Sequence, residues 1–197
     1  GINQAFDSEI GMRVPRLLKL DAHFTTLGPD ESAAIAALLP DVGADGRLGA
    51  TFQKGEFSLS ASKAVLFGLE GTGLVANAVW EGGVLEVSRF AAEDFGGAKF
   101  DLKLTAFGTL MKPELSGSGT LRVPDGAPVF EAALDAIKVP QNIQDYLALS
   151  LPANLTLQLD APTAEGGQTL TATGKLGTAA LDMKANVNGG VVNALAN

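Results

Sequence analysis

Polarity along this chain alternates with a period of two residues, and that pattern constrains the fold more than any other feature. Leu18, Leu20, Ala22 and Phe24 interleave with Lys19, Asp21, His23 and Thr25. The same rhythm runs through Phe100–Ala106, Leu115–Val123, Leu155–Asp160, Leu170–Leu176 and Leu181–Asn188. Side chains of a β-strand point alternately to opposite faces, so each segment predicts a strand with one buried and one wet face. Residues 57–60, 74–80 and 84–90 read as further strands with a less regular rhythm.

Glycine supplies the punctuation. There are 24 in 197 residues, about 12% against the usual ~7%. Glu81-Gly82-Gly83, Gly96-Gly97, Gly166-Gly167, Lys54-Gly55 and Gly189-Gly190 fall between strands, where hairpins need positive φ. Strand, short turn, strand predicts a curved antiparallel meander or half-barrel in a mainly β domain. Two or three short helices interrupt it: Pro29 to Leu39 ended by Pro40, Asp125 to Ile137, and Gln141 to Leu149. The chain reads as one domain over 1–197. A likeness between 36–40 and 147–152 suggests two related units, about 1–123 and 124–197, within a longer protein.

Composition narrows the functional classes. Hydrophobic residues make up 46% and charged residues 18%, which excludes an intrinsically disordered chain. No segment approaches the ~20 apolar residues of a spanning helix. Cysteine is absent, removing disulfide scaffolds and thiolate metal sites. The net charge of −8 and the lack of a basic run argue against nucleic acid.

Motifs that resemble chemistry have plainer readings. Gly71-Thr72-Gly73-Leu74-Val75-Ala76 matches G-x-G-x-x-A, yet a strand follows it where a dinucleotide site needs a helix N-terminus. The segment is read as a hairpin turn. Asp41, Asp45 and Gly46 hint at a calcium loop, but Phe52 stands where the bidentate Glu belongs. His23, the only histidine, falls on the polar side of a strand. Glu93 and Asp94 are neighbours on opposite strand faces, and Asp30 and Glu31 suit a helix's first turn. Asn154-Leu155-Thr156 is a glycosylation sequon at the start of a strand. None of these points to a catalytic, metal or cofactor site, and the chain is read as a non-enzyme.

What remains is a face of Leu, Ala, Met and Phe that also carries Gly117, Gly119 and Gly174. Glycine there leaves space. Either a helix packs closely against it, or the face is a trough held open for an apolar ligand.

Two stretches resemble a known family. Val84–Phe90, the Gly96-Gly97 turn and Lys99-Phe100 lead to Gly108-Thr109-Leu110 and Leu115-Ser116-Gly117-Ser118-Gly119-Thr120-Leu121. Leu149–Leu157 followed by Gly167–Gly177 has a similar form. This strand, Gly-Gly turn, strand, "GTL…SGSGTL" order is similar to the β-repeat of the AsmA family of Gram-negative envelope proteins, related to TamB-like and bridge-like lipid-transfer proteins. The resemblance covers about half the chain and carries no catalytic residues. It implies a periplasmic segment of a protein anchored in the inner membrane, an open β-groove for phospholipid acyl chains, and a role in outer-membrane lipid homeostasis and assembly. Adjoining segments of the same protein would be its other partners.

Under that reading, acyl chains lie against Phe100, Leu102, Leu104, Leu115, Leu121, Leu157, Leu170 and Met183, at about 0.8 kcal/mol per buried methylene. The alternative is a structural or adhesive β module in which the same face is a closed core.

Overall fold

Apolar positions on neighbouring strands stand opposite one another, and that lateral match joins the alternating segments into one sheet. The computed structural model describes residues 2–4, 17–36, 54–109, 112–136, 150–163, 167–188 and 191–196. They form eleven strands: β1 (Ile2–Gln4), β2 (Leu17–Leu27), β3 (Lys54–Leu66), β4 (Leu69–Glu81), β5 (Val84–Phe95), β6 (Ala98–Thr109), β7 (Lys112–Val123), β8 (Ala153–Leu159), β9 (Gly167–Leu176), β10 (Ala179–Asn188) and β11 (Val191–Ala196). Their lateral order is their order in the chain, with β1 and β11 at the edges. The sheet is curved and open, as expected.

One pairing departs from the meander. β2 and β3 run parallel, so the connection between them has to cross over instead of turning tightly. The other described pairings are antiparallel. At Gly177-Thr178, between β9 and β10, only Gly177 takes positive φ, whereas in three other two-residue turns both residues do: Phe67 and Gly68, Gly82 and Gly83, Gly96 and Gly97. That is the type I′ geometry whose twist matches the flanking strands.

Two helices lie at one end of the sheet. In α1 (Pro29–Ala36), proline occupies the first helical position, and the Gly28 backbone N–H donates to Glu31 Oε2 at 3.0 Å. The glutamate thus satisfies a donor that would otherwise be orphaned. In α2 (Pro128–Ala136), Val129 N donates to Gly96 O at 3.0 Å, and Val129 and Phe130 pack on a cluster of Ala98, Val123, Ala127 and Ala153. The expected third helix (141–149), the calcium-like loop (41–46), Gly166, Gly189-Gly190 and most of the proposed repeat lie outside the described residues.

Two glycine assignments are corrected. Gly55 is inside β3, with the indole of Trp80 over the space a Cβ would fill. Gly71 and Gly73 are inside β4, and the hairpin is at Phe67-Gly68. Sequence reading expected turns there because a glycine opposite a bulky partner is locally indistinguishable from a glycine in a turn.

The irregular rhythm of β5 has a structural cause. Val87 pairs with both Ala78 and Leu104, and Phe90 with both Ala76 and Leu102. Two residues of β5, Ser88 and Arg89, therefore oppose one on each neighbour. This β-bulge keeps Val87 and Phe90 on the same face despite their odd spacing. A related band crosses β2 to β5. The buried face resumes after three residues instead of two, from Phe24 to Leu27, Ala61 to Ala64, and Ala92 to Phe95, while Thr25, Thr26, Ser62, Lys63, Glu93 and Asp94 are exposed. Gly73 lies in this band with φ of 61°, so the G-x-G glycines do two different jobs. Gly71 seats Phe95, and Gly73 permits the irregularity. Bulges bend and twist strands, which curves this end of the sheet.

Candidate functional site

The inter-strand register assembles the apolar side chains into continuous transverse rows. One runs Leu20, Phe57, Ala78, Val87, Leu104, Gly117, Leu159, Leu170, Ala185. The next runs Ala22, Leu59, Ala76, Phe90, Leu102, Gly119, Leu157, Ala172, Met183. A third carries Phe100, Leu121, Leu155, Gly174 and Leu181. All eight residues expected to contact an acyl chain stand on this one face.

The face has two regimes. Toward β2–β5 it is closed, with Leu18, Leu20, Leu59, Ala61, Leu74 and Trp80 buried. Phe24, Phe57, Phe90, Phe95 and Phe100 pack on a cluster of Leu27, Leu59, Ala61, Ala64, Leu74 and Ala92; the Phe90 and Phe100 rings lie 5.0 Å apart and tilted by 44°, a favourable aromatic geometry. Over β6–β9 the face opens. Leu102, Leu121, Leu155, Leu157, Leu159 and Leu170 are half-buried, and Leu104 and Leu115 are 36% and 42% exposed. Among the described residues no helix lies across this strip; α2 packs at its end.

The glycines of this face are neither vacant nor covered by a helix. A Cβ on Gly117 would come within 2.8 Å of Leu104 Cδ2, and one on Gly119 within 2.5 Å of Leu102 Cδ2. Leu104 and Leu102 are their register partners on β6. Gly55 with Trp80 and Gly71 with Phe95 repeat the arrangement. Each of these four glycines admits a large side chain leaning across from the next strand, so small and large alternate within a row; Gly174, on the same face, instead meets the β8 backbone at Asn154. The result is a smooth apolar surface without a deep trough at Gly117 and Gly119.

The opposite face is polar and wet. Lys19 and Glu56 pair at 3.0 Å, Lys54 and Glu81 at 2.9 Å, and Arg89 and Asp101 at 3.2 Å. The hydrogen bond from Lys19 to Glu56, and then the carboxylate's charge, hold the Lys19 ammonium above its usual range. Shallow depressions of about 420 and 350 Å³ lie over β5–β8 and β2–β5, lined mainly by Glu, Lys, Ser, Asn and Gln.

His23 Nδ1 lies 2.5 Å from Ser60 Oγ, and its Nε2 lies 3.5 Å from Asp21 Oδ1. These are the residue types of a hydrolytic triad, which sequence spacing did not bring together. They lack its surroundings, however. The His23 and Asp21 side chains are 74% and 59% exposed, on the wet face of the sheet. Glu93 and Asp94 are both exposed, and Asp94 Oδ1 accepts from Gly97 N at 3.1 Å, a turn contact. Among the described residues no three His, Asp or Glu side chains converge as metal ligands. No described helix is long and apolar enough to cross a membrane.

No family model, curated protein or solved structure matches this chain.

Proposed function

We propose that the apolar strip over β6–β9 shields phospholipid acyl chains, and that the chain works as a periplasmic segment of an AsmA-like envelope protein. The observation that supports this reading is the exposure of Leu104 and Leu115 beside six half-buried leucines on four adjacent strands of a single-layer sheet. A contiguous apolar surface of this kind is costly in water and marks a binding surface. Each methylene moved onto it contributes about 0.8 kcal/mol. The mechanism is passive: chains lie along the leucine rows while headgroups stay in water. The edges at β1 and β11 are where adjoining segments of the same protein would extend the sheet.

One observation favours the alternative of a structural or adhesive module without ligand. Leu102 and Leu104 already occupy the space over Gly119 and Gly117, which makes the face smooth instead of hollow. Native mass spectrometry with added phosphatidylethanolamine separates the two readings. The wild-type chain should carry lipid adducts. Leu104→Asp/Leu115→Asp should lose most of them while changing stability by about 1 kcal/mol or less, because both positions are exposed. A wild-type chain that takes up no lipid sinks the shielding reading and leaves the structural module.

A further inference from the structure

The polar face carries a line of cations that folding does not explain. Lys99 on β6 is the register partner of Arg122 on β7, Arg122 of Asn154 on β8, and Asn154 of Lys175 on β9. All four are exposed. The line runs straight across four strands and spans about 14 Å at the ~4.8 Å spacing of strands. Like charges directly opposite each other destabilise a strand pair, and Lys99 and Arg122 are such a pair. Among the described residues no carboxylate comes within ion-pairing distance of Lys99, Arg122 or Lys175. The contrast with the β2–β5 side is clear, since Lys19 and Lys54 each have a glutamate. In the adjacent row Asp101 is taken by Arg89 and Asp182 stands at the flank; one row further, Lys103 and Lys184 add two more cations. An uncompensated positive band thus persists in a chain of net charge −8.

We propose that this band docks the protein onto an anionic phospholipid surface. The band is exposed along its length, and neither depression on the polar face includes Lys99, Arg122 or Lys175, so it suits an open array of anions better than one enclosed phosphate. An acidic protein partner would need apolar anchors at the centre of the contact, and Asn154 is the central residue here. Single-stranded nucleic acid would need aromatic stacking platforms, and none stands in this row or the next. The inference is independent of acyl chains on the opposite face.

Vesicle flotation of the full chain at low salt tests it, with phosphatidylcholine alone and with phosphatidylcholine containing 30% phosphatidylglycerol as stated compositions. The wild type should float with the anionic vesicles, stay behind with the neutral ones, and detach as salt rises. K99Q/R122Q/K175Q should weaken binding roughly a hundredfold, about fivefold per cation, and should melt no lower than wild type, because repulsion is relieved. R122Q alone should weaken it about fivefold. K19Q/K54Q/K63Q, which lowers net charge equally, should bind as wild type does. Equal binding to neutral and anionic vesicles, equal loss in the two triple variants, an unaffected K99Q/R122Q/K175Q, or capture only by an acidic peptide or polyuridylate would each overturn the proposal. Lipid adducts in mass spectrometry without vesicle flotation would overturn it while leaving the acyl-chain reading intact.

Discussion

Gly174→Val is expected to cost about 4 kcal/mol or more, enough to unfold a marginally stable domain. Gly174 lies in β9 with φ of 144°, in a region that side-chain-bearing residues rarely adopt. A Cβ placed there would sit 2.0 Å from the carbonyl oxygen of Asn154 and 3.1 Å from Leu155 Cα on β8. Both obstacles are backbone, so no rotamer change relieves them; β8 and β9 would have to separate. β8, β9 and β10 form successive pairs with no bypass in the sheet, so the loss should spread to all three. Thermal melting by circular dichroism checks this. Hydrogen exchange should place the lost protection in β8–β10 first, and a variant that melts like wild type would contradict the geometry.

Trp80→Ala is expected to destabilise by about 3–5 kcal/mol, the range for emptying a buried aromatic site. Trp80 is 2% exposed, and its ring occupies the space above Gly55, its register partner on β3. The two residues are a size-matched pair, so their substitutions should couple. Gly55→Leu should be strongly destabilising beside Trp80, where a Cβ would meet the indole at 2.0 Å. In the Trp80→Ala background it should instead recover part of the loss by filling the void. A double-mutant cycle in urea reads this reversal of sign. Additive costs would mean that Gly55 is retained for a reason other than the indole.

These two sites show where sequence reading stopped. The alternation at Leu18–Phe24, Phe100–Ala106 and Leu115–Val123 was legible because period two is a property of one strand by itself. The Gly82-Gly83 and Gly96-Gly97 turns were legible because tight hairpins demand positive φ within two residues. The start of α1 was legible because Pro29 and the acids of its first turn act within that turn. Gly55 and Gly71 were misread because their meaning lies in Trp80 and Phe95, more than twenty residues away along the chain. The broken rhythm of β5 looked like a weak strand because the bulge at Ser88-Arg89 exists only relative to Asn77 and Lys103. The eight expected lipid-facing residues did fall on one face, since parity alone sorts faces. How open that face is over Leu104 and Leu115 could not be read from parity.

The sequence by itself determined a glycine-turned, one-faced β sheet with apolar residues on one side and polar residues on the other. Only the tertiary structure decided that β2 and β3 run parallel, that Gly55 and Gly71 make room for Trp80 and Phe95, and that Lys99, Arg122 and Lys175 stand in line. The physical reason is that alternation and turn chemistry act within a few residues, whereas register is a choice among partners. That choice depends on fitting whole rows of side chains together, and a slip of one residue would turn every apolar side chain of a strand to the wet face.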